Sequence, residues 1–214
     1  MTENKTHWYD GWFYDIFIAP NQDKLFSKIK NLIEPKSSIL DVGCGTGRLA
    51  FRLSSKSKSV LGIDLSKRNI NRARLSLFRR PDAKISFQHC NLRHILNVDH
   101  AHFDYAILTY VIHEVDENER INLLNEMAQV ADKIIIGDYL VPKPEGFAGR
   151  LTEFIEYIAG AEHYRNYKNY LANGGIYYLA EKAGLNIINE IPTQSSTNHI
   201  VVLSKQFKAA IKSS

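Results

Sequence analysis

The stretch DVGCGTGRLA, residues 41–50, directly follows Ser38, Ile39 and Leu40, which form the start of an apolar run. It places three glycines within five residues, Gly43, Gly45 and Gly47. Glycine loses more conformational freedom on folding than any other residue, so a cluster of it at the end of a strand needs a reason. The pattern indicates that a ligand approaches the main chain closely at this point.

Short apolar or β-branched runs alternate with helical patterns around this stretch. The runs, which we interpret as strands, are residues 38–42, 59–64, 84–89, 103–111 and 133–140, and the helical patterns between them span 48–54, 67–78 and 117–130. Another helical pattern precedes the first strand and ends before Pro35. Alternating strands and helices predict an α/β fold with a doubly wound, mostly parallel sheet covered on both faces.

The last third of the chain has a different character. Residues 149–172 are helical in pattern and rich in aromatic side chains, and GGIYYLAEKAG predicts a short helix that ends at Gly184. Two further strands, LNIINEI and NHIVVLSK, are joined only by PTQSSTN. Because so short a connection allows only antiparallel pairing, the chain is expected to end in a hairpin.

The overall composition is that of a globular protein. The chain has 214 residues, 44% hydrophobic and 23% charged, with a net charge of +4, which is mild for a protein that binds phosphate backbones. It shows neither a signal peptide nor an apolar segment long enough to span a bilayer, so we expect a cytoplasmic protein without a membrane partner. Cys44 and Cys90 form no CxxC pair and lie near no histidine cluster; we therefore expect no metal site.

Two acidic residues flank the glycine stretch in the predicted sheet. Asp41 ends the first strand, and Asp64 ends the next, where its carboxylate is suited to accept hydrogen bonds from the two hydroxyls of a ribose. Dinucleotide-binding loops favour GxGxxG, which cradles a pyrophosphate at a helix N-terminus. Here the spacing is GxGxG beside an acid, and Asp41 would repel a phosphate but attract an ammonium or sulfonium ion.

Three segments together resemble the class I S-adenosylmethionine-dependent methyltransferases: ILDVGCGTGRLA (39–50), VLGIDLS (60–66) and FDYAILTYVIHEV (103–115). The resemblance implies a Rossmann-like methyltransferase fold with a seven-stranded sheet in the order 3-2-1-4-5-7-6 and strand 7 antiparallel. It also implies one domain over 1–214, with an N-terminal lid or helical segment (1–35), a cofactor-binding core (36–140), a helical substrate-side segment (141–184) and a C-terminal hairpin (185–205).

The resemblance also implies which residues hold S-adenosylmethionine. The methionine moiety is expected beside the first strand and its loop, at Asp41, Gly43, Cys44, Gly45 and Gly47. Asp64 is expected to hold the ribose hydroxyls with Leu65 beside the adenine. Asn91 stands where the family often has an acid, so its side-chain oxygen would accept from the adenine amino group while Leu92 donates from its backbone.

Candidate catalytic and substrate-binding residues lie outside this cofactor set. His113 follows the fourth strand and is our candidate for a catalytic base or substrate contact, the alternative being a histidine that packs or caps its loop. The substrate candidates are aromatic and histidine side chains of the leader and of the segment GAEHYRNYKNY: Tyr9, Tyr14, His163, Tyr164 and Tyr167. Aromatic residues at such spacing also suit a packed core.

The expected activity is in-line transfer of a methyl group from S-adenosylmethionine to a small-molecule acceptor. Two alternatives remain open at this point: a nucleic-acid (RNA) methyltransferase, suggested by the basic residues at positions 67–80, and a non-catalytic protein that binds S-adenosylmethionine. A third, a nicotinamide-dependent dehydrogenase, predicts NADH binding. We do not expect nucleic acid as the substrate, because the fourth-strand block has LTYV where base-amino methyltransferases carry an Asn/Asp-Pro-Pro-aromatic motif. The sequence gives no indication of oligomeric state.

Overall fold

The structure, a computed structural model, describes residues 19–192 and 197–205 of the chain. Its strands are β1 (Ser38–Val42), β2 (Ser59–Asp64), β3 (Ile85–His89), β4 (Phe103–Thr109), β5 (Ala131–Tyr139), β6 (Leu185–Pro192) and β7 (Asn198–Lys205). Its helices are α1 (Ala19–Leu32), α2 (Arg48–Leu53), α3 (Lys67–Arg79), α4 (Leu92–Leu96), α5 (Glu117–Val130), α6 (Phe147–Ile158), α7 (Ala161–Ala172) and α8 (Gly175–Lys182).

The seven strands form one sheet in the order β3-β2-β1-β4-β5-β7-β6. The pairs among β1 to β5 are parallel, whereas β7 runs antiparallel to both β5 and β6. This confirms the predicted fold class, the predicted strand order and the C-terminal hairpin.

Helices cover both faces of the sheet, as the alternation of strands and helices predicted. On one face α1, α2 and α3 bury apolar side chains such as Leu25, Leu49 and Ile70. On the other face α4, α5 and α8 do the same, with residues that include Leu124 and Leu179. The central strands β1, β4 and β5 are buried by both helical layers, which is why they are nearly continuously apolar in sequence, whereas the edge strands β3 and β6 are largely exposed.

Strand β1 lies between β2 and β4, so the chain winds in opposite directions on its two sides. In open α/β sheets, ligands bind in the crevice that opens at such a point, beyond the carboxyl ends of the strands. The loop after β1 carries the three glycines, and the loop after β4 carries His113. The topology therefore brings the two candidate segments to the same edge of the sheet.

Several boundaries differ from the prediction. The fourth strand ends at Thr109 rather than 111, because Tyr110 has a φ of 55° and leaves the extended conformation. The helical stretch 149–172 is two helices that separate at Gly160, whose φ is 126°. The short helix α4, capped by Asn91, was not predicted, since five residues are too few to show helical periodicity. No helix in the described ranges combines the length and apolarity that crossing a membrane requires.

Candidate active site

The glycine loop uses left-handed backbone conformations at all three glycines. The φ angles are 70° at Gly43, 54° at Gly45 and 83° at Gly47, a region that side chains rarely adopt. A Cβ atom on Gly45 would meet no atom within 4 Å, whereas one on Gly47 would overlap the ring of Phe87. Gly45 is therefore the glycine that leaves the main chain open to a ligand, and Gly47 permits close packing of the loop on β3.

Asp64 is held in place by the loop that it faces. The Gly45 N–H donates to its Oδ2 at 2.8 Å, and the Ser66 N–H donates to its Oδ1 at 2.7 Å. Burial raises the pKa of Asp64, and these two backbone hydrogen bonds act against that rise. Each carboxylate oxygen keeps a further lone pair, so Asp64 is oriented by the loop and can still accept from a diol.

Asp41 is a buried carboxylate without a hydrogen-bonding partner in the described part of the chain. Only 1% of it is exposed, and neither Oδ1 nor Oδ2 accepts a hydrogen bond. Burial, and then the charge of Asp64, raise the pKa of Asp41 to about 8. An unpaired buried carboxylate is costly, and a bound cation would remove that cost. Asp41 thus fits a ligand with a positive charge.

A cavity of about 1120 Å³ opens beside this loop. Eight of the nine residues predicted to hold the cofactor line it: Asp41, Gly43, Cys44, Gly45, Asp64, Leu65, Asn91 and Leu92. Gly47, the ninth, does not reach the wall because it packs against Phe87. The cavity therefore gathers the predicted cofactor residues around a common space, although the role of each residue stays a prediction.

The expected adenine end of the cavity has an apolar side and a polar side. Leu65 is 73% exposed on the cavity wall and offers a flat apolar contact. The Asn91 Oδ1, which we expected to accept from adenine, accepts the His94 N–H at 2.9 Å and so caps α4. Because a carboxamide oxygen has two lone pairs, this cap leaves the expected adenine contact possible, and it stays a prediction.

The far side of the cavity is formed around His113, which is buried at the carboxyl end of β4. Its Nδ1 lies 2.7 Å from Oδ1 of Asp138 on β5, and its ring packs against Tyr139 with centroids 4.7 Å apart. Burial acts to lower the pKa of His113, but the carboxylates of Asp138 and Glu156 outweigh it and raise that pKa to about 9. The ring is thereby fixed in orientation by a carboxylate behind it.

Two carboxylates and a second histidine surround the other ring nitrogen of His113. His113 Nε2 lies 3.9 Å from Oε1 of Glu114 and 3.7 Å from Oε1 of Glu156. His163 Nε2 lies 3.2 Å from Glu114 Oε1 and 3.2 Å from Glu156 Oε2. Burial acts to lower the pKa of His163, but hydrogen bonding to these two carboxylates raises it to about 10. All four side chains line the cavity. We call them the histidine–carboxylate cluster.

A buried arginine, Arg120, joins the loop of His113 to α7, which carries His163. Its guanidinium donates to the backbone carbonyls of Val115, at 2.9 Å, and Asn166, at 2.7 Å. Asn166 Nδ2 in turn donates to the Glu114 carbonyl at 2.8 Å. These bonds fix the loop that carries His113 and Glu114 in position relative to α7, which carries His163.

The structure brings only part of the predicted substrate set to the cavity. His163 lines it, but Tyr164 and Tyr167 do not. The Tyr164 hydroxyl donates to Glu153 at 2.9 Å, and Tyr167 is fully buried against Tyr139. The remaining two, Tyr9 and Tyr14, lie outside the described residues.

Sequence reasoning missed three residues of the site: Asp138, Tyr139 and Glu156. Asp138 comes near the end of an apolar strand in the same way as Asp41 and Asp64, so the pattern that found those two residues was also available here. Glu156 lies on α6, and its carboxylate accepts the Tyr139 hydroxyl at 2.6 Å. One acid on a helix carries no signal in the sequence, because only the tertiary fold turns it toward the cavity.

Comparison with known families identifies the core of the fold. Residues 39–133, from β1 through the first residues of β5, match the family described as a methyltransferase domain. The match covers somewhat less than half of the chain, and the strand order of the sheet is the one that the resemblance to class I S-adenosylmethionine-dependent methyltransferases implied. The matched segment contains the glycine loop and Asp64, so it bears out the methyltransferase resemblance seen in the sequence.

Curated relatives of the methyltransferase domain are larger proteins. The O-antigen chain terminator bifunctional methyltransferase/kinase WbdD of Escherichia coli is 30% identical over 106 residues, covering 46% of this chain and 15% of WbdD. The mitochondrial ubiquinone biosynthesis O-methyltransferase of Rattus norvegicus is 36% identical over 83 residues, covering 38% of this chain and 24% of that enzyme. The similarity thus spans less than two thirds of either relative.

Solved structures share the fold along most of the chain. The magnesium protoporphyrin IX methyltransferase ChlM of Synechocystis PCC 6803, solved with bound S-adenosylmethionine, superposes with a TM-score of 0.61 at 16% identity. The superposition covers 92% of this chain and 86% of ChlM. The likeness extends the fold assignment beyond residues 39–133 to the helices and the hairpin that follow.

Proposed function

We propose that this chain transfers a methyl group from S-adenosylmethionine to a small-molecule acceptor bound beside the histidine–carboxylate cluster. The observation that carries the proposal is Asp41, a buried carboxylate with no hydrogen bond from any residue that the structure describes, set against an open glycine loop in the wall of a large cavity. The family supplies the cofactor class, and the cavity continues past the cofactor loop to four polar, ionisable side chains.

The residues present suit S-adenosylmethionine in three respects. Asp41 offers negative charge to the cationic end of the molecule, and Asp64 offers two oriented oxygens to the ribose hydroxyls. Gly45 has no side chain, so the space beside the loop stays free for the ligand. A pyrophosphate ligand would instead meet two carboxylates, which disfavours a nicotinamide dinucleotide.

We place the acceptor at the end of the cavity formed by α6 and α7, within the predicted substrate-side segment 141–184. Glu156 of α6 and His163 of α7 line that end together with His113 and Glu114. A relative that acts in ubiquinone biosynthesis supports a small molecule as the acceptor.

The protein contributes to this reaction mainly by positioning the acceptor and the cofactor. The bound cofactor presents a methyl group on a sulfonium, which is a good leaving group. The chain's own residues have to align the acceptor with that methyl group and exclude water, which together supply much of the rate enhancement for a displacement. His113, oriented by Asp138, is placed to contact the acceptor.

Calorimetric titration with S-adenosylmethionine and with S-adenosylhomocysteine tests the cofactor, and S-adenosylhomocysteine release with pooled metabolites tests turnover. We expect binding of both ligands and turnover with a metabolite pool. His113→Ala should keep cofactor affinity and lose turnover, while unchanged turnover would remove His113 from the site. Binding without turnover on any pool would favour a non-catalytic protein.

The same assay with transcribed RNA tests the nucleic-acid alternative. The basic residues of α3 that suggested it are partly engaged within the fold. Arg74 donates to the Phe87 carbonyl at 2.9 Å, and the Arg80 guanidinium lies 4.7 Å from the centre of the Phe51 ring. We therefore expect no methylation of RNA.

A further inference from the structure

The histidine–carboxylate cluster has the composition and spacing of a metal site. One ligand atom from each of His113, Glu114 and His163 can be chosen so that all three lie within 4.8 Å of one another. His163 lies on α7, far in sequence from the adjacent His113 and Glu114, and only the fold brings it to them, which is why the sequence alone predicted no metal site. Two histidines and one carboxylate are a donor set that binds zinc and other first-row divalent ions and leaves coordination positions open.

The orientation of His113 matches that of a metal-bound histidine. Its Nδ1 faces the Asp138 carboxylate, which can only accept a hydrogen bond when ionised, so Nδ1 carries the proton. When the ring is neutral, its Nε2 lone pair is turned toward Glu114, whose Oε1 lies 3.9 Å away. Metal-binding histidines commonly donate their other N–H to a carboxylate in this way, which fixes the tautomer and the ring orientation.

The charges around the cluster also favour a cation. Asp138, Glu114 and Glu156 bring three carboxylates to two histidines. Glu156 is buried, and its Oε2 lies 3.2 Å from His163 Nε2. Its Oε1 is fixed by the Tyr139 hydroxyl at 2.6 Å. A bound divalent ion would replace the protons of the two imidazoles as the positive charge that balances these carboxylates.

The spacing of the atoms fits the size of such an ion. Ligand atoms bound to zinc at about 2.1 Å in a tetrahedron lie roughly 3.4 Å apart. The nitrogen–oxygen distances within the cluster are 3.2 Å from His163 to Glu114 and 3.9 Å from His113 to Glu114. Small side-chain movements would bring the three donors to bonding distance.

We propose that His113, Glu114 and His163 bind a divalent first-row transition ion, Zn²⁺ or Mn²⁺, at the acceptor end of the cavity. Glu156 lies beside the three ligands as a further carboxylate, and Asp138 is a positioning residue that acts through His113. The bonds from Arg120 and Asn166 hold the ligand-bearing segments together, so the site is preorganised.

The ion would define the class of acceptor, an inference that rests on the proposed methyl transfer. An open coordination position binds an acceptor hydroxyl and lowers its pKa, so that its proton passes to solvent. The resulting oxygen attacks the methyl carbon in line, an O–C bond forms, and the carbon–sulfur bond of the sulfonium breaks with its electron pair going to sulfur. The products are a methyl ether and S-adenosylhomocysteine. The acceptor is therefore expected to be a hydroxylated small molecule.

Metal binding is tested on the untagged full chain after treatment with a chelator and removal of that chelator. Calorimetric titration with ZnCl₂ and with MnCl₂, followed by elemental analysis of the desalted protein, should show one ion bound per chain. His163→Gln and Glu114→Gln should each weaken binding by at least about tenfold, as loss of a ligand predicts. Glu114 is only partly buried, so its variant is expected to fold even if His163→Gln does not.

His102→Gln is the matched control, because His102 also pairs with a carboxylate, Asp132, at 2.9 Å but on the exposed surface. It should bind the ion as the wild type does. Absence of stoichiometric uptake by the wild type, or uptake unchanged in Glu114→Gln, would overturn the proposal and indicate that the cluster is held by protonated histidines.

Cofactor titration of the metal-free chain separates this proposal from the proposed function. Uptake of one ion without any binding of S-adenosylmethionine would support the metal site and refute methyl transfer. Binding of S-adenosylmethionine without ion uptake would leave methyl transfer supported and refute the metal site.

Discussion

Replacing Asp41 by Asn tests whether the buried carboxylate is reserved for a cation. Both carboxylate oxygens of Asp41 lack hydrogen bonds, and its pKa in the folded chain is about 8 against 3.8 for an ordinary aspartate. Because the folded pKa is the higher one, the folded chain binds the proton more tightly than the unfolded chain. Stability is therefore greatest below pH 3.8 and falls as pH rises toward 8.

The size of this effect on stability follows from the difference between the pKa values of Asp41 in the folded and unfolded chain. Each pH unit between the two pKa values is worth about 1.4 kcal/mol, so the proton that Asp41 retains on folding costs the ligand-free chain on the order of 4 kcal/mol of stability at pH 7, relative to low pH. Asparagine stays neutral and has nearly the same size. Asp41→Asn should therefore unfold at a higher temperature than the wild type at pH 7, and the difference should disappear toward pH 4.

Binding should change in the opposite direction. A cation needs the ionised form of Asp41, so Asp41→Asn should bind S-adenosylmethionine about 10- to 150-fold more weakly, the loss expected for a charged interaction of about 1.5–3 kcal/mol. Wild-type binding should strengthen as pH rises toward 8 and should release a proton. If S-adenosylhomocysteine shows the same pH dependence, Asp41 faces the ammonium group, and if it does not, Asp41 faces the sulfonium.

Thermal unfolding at several pH values and calorimetry in buffers of different ionisation enthalpy measure both effects. Asp132→Asn, a change at an exposed carboxylate, is the control and should alter neither quantity. The reasoning is refuted if Asp41→Asn and wild type have the same pH dependence of stability and the same affinity for S-adenosylmethionine.

The remaining predictions concern the cofactor loop and the arginine behind the cluster. Asp64→Ala should weaken S-adenosylmethionine binding by on the order of 1.5–3 kcal/mol in a calorimetric titration, and normal affinity would show that the ribose lies elsewhere. Gly45→Val should abolish binding, whereas Gly184→Val, a substitution at a similarly left-handed and open position, should only lower stability; equal affinity in the two variants would contradict the placement. Arg120→Leu leaves several buried carbonyls without a donor and should cost about 3 kcal/mol or more in chemical denaturation, with exposed Arg165→Leu as control; equal stability of the two would contradict the role of Arg120.

The sheet and its order could be anticipated because strand runs, glycines and strand-end acids are local features of the sequence. Asp41 is the second-last residue of β1 and Asp64 is the last residue of β2, and parallel strands bring such ends to one edge, so the two residues could be placed together without coordinates. Helix α4 escaped prediction because a single turn has no periodicity, and Tyr110 ended its strand early through a backbone conformation that tyrosine rarely adopts.

The acceptor side could be predicted only in part. His113 was recognisable as a histidine directly after a buried strand, but its partners come from β5, α6 and α7. Nothing local distinguishes Glu156 from any other glutamate of an amphipathic helix, and nothing local shows that Tyr167 packs into the core while His163 reaches the cavity. Such distinctions depend on how helices α6 and α7 are rotated against the sheet.

The central claim is tested most directly by a crystal structure of the chain with S-adenosylhomocysteine bound. The account predicts the ribose hydroxyls within hydrogen-bonding distance of Asp64, the amino-acid end beside Asp41, and the sulfur facing the histidine–carboxylate cluster. A ligand bound elsewhere, or a glycine loop closed over by side chains in the presence of saturating ligand, would contradict it.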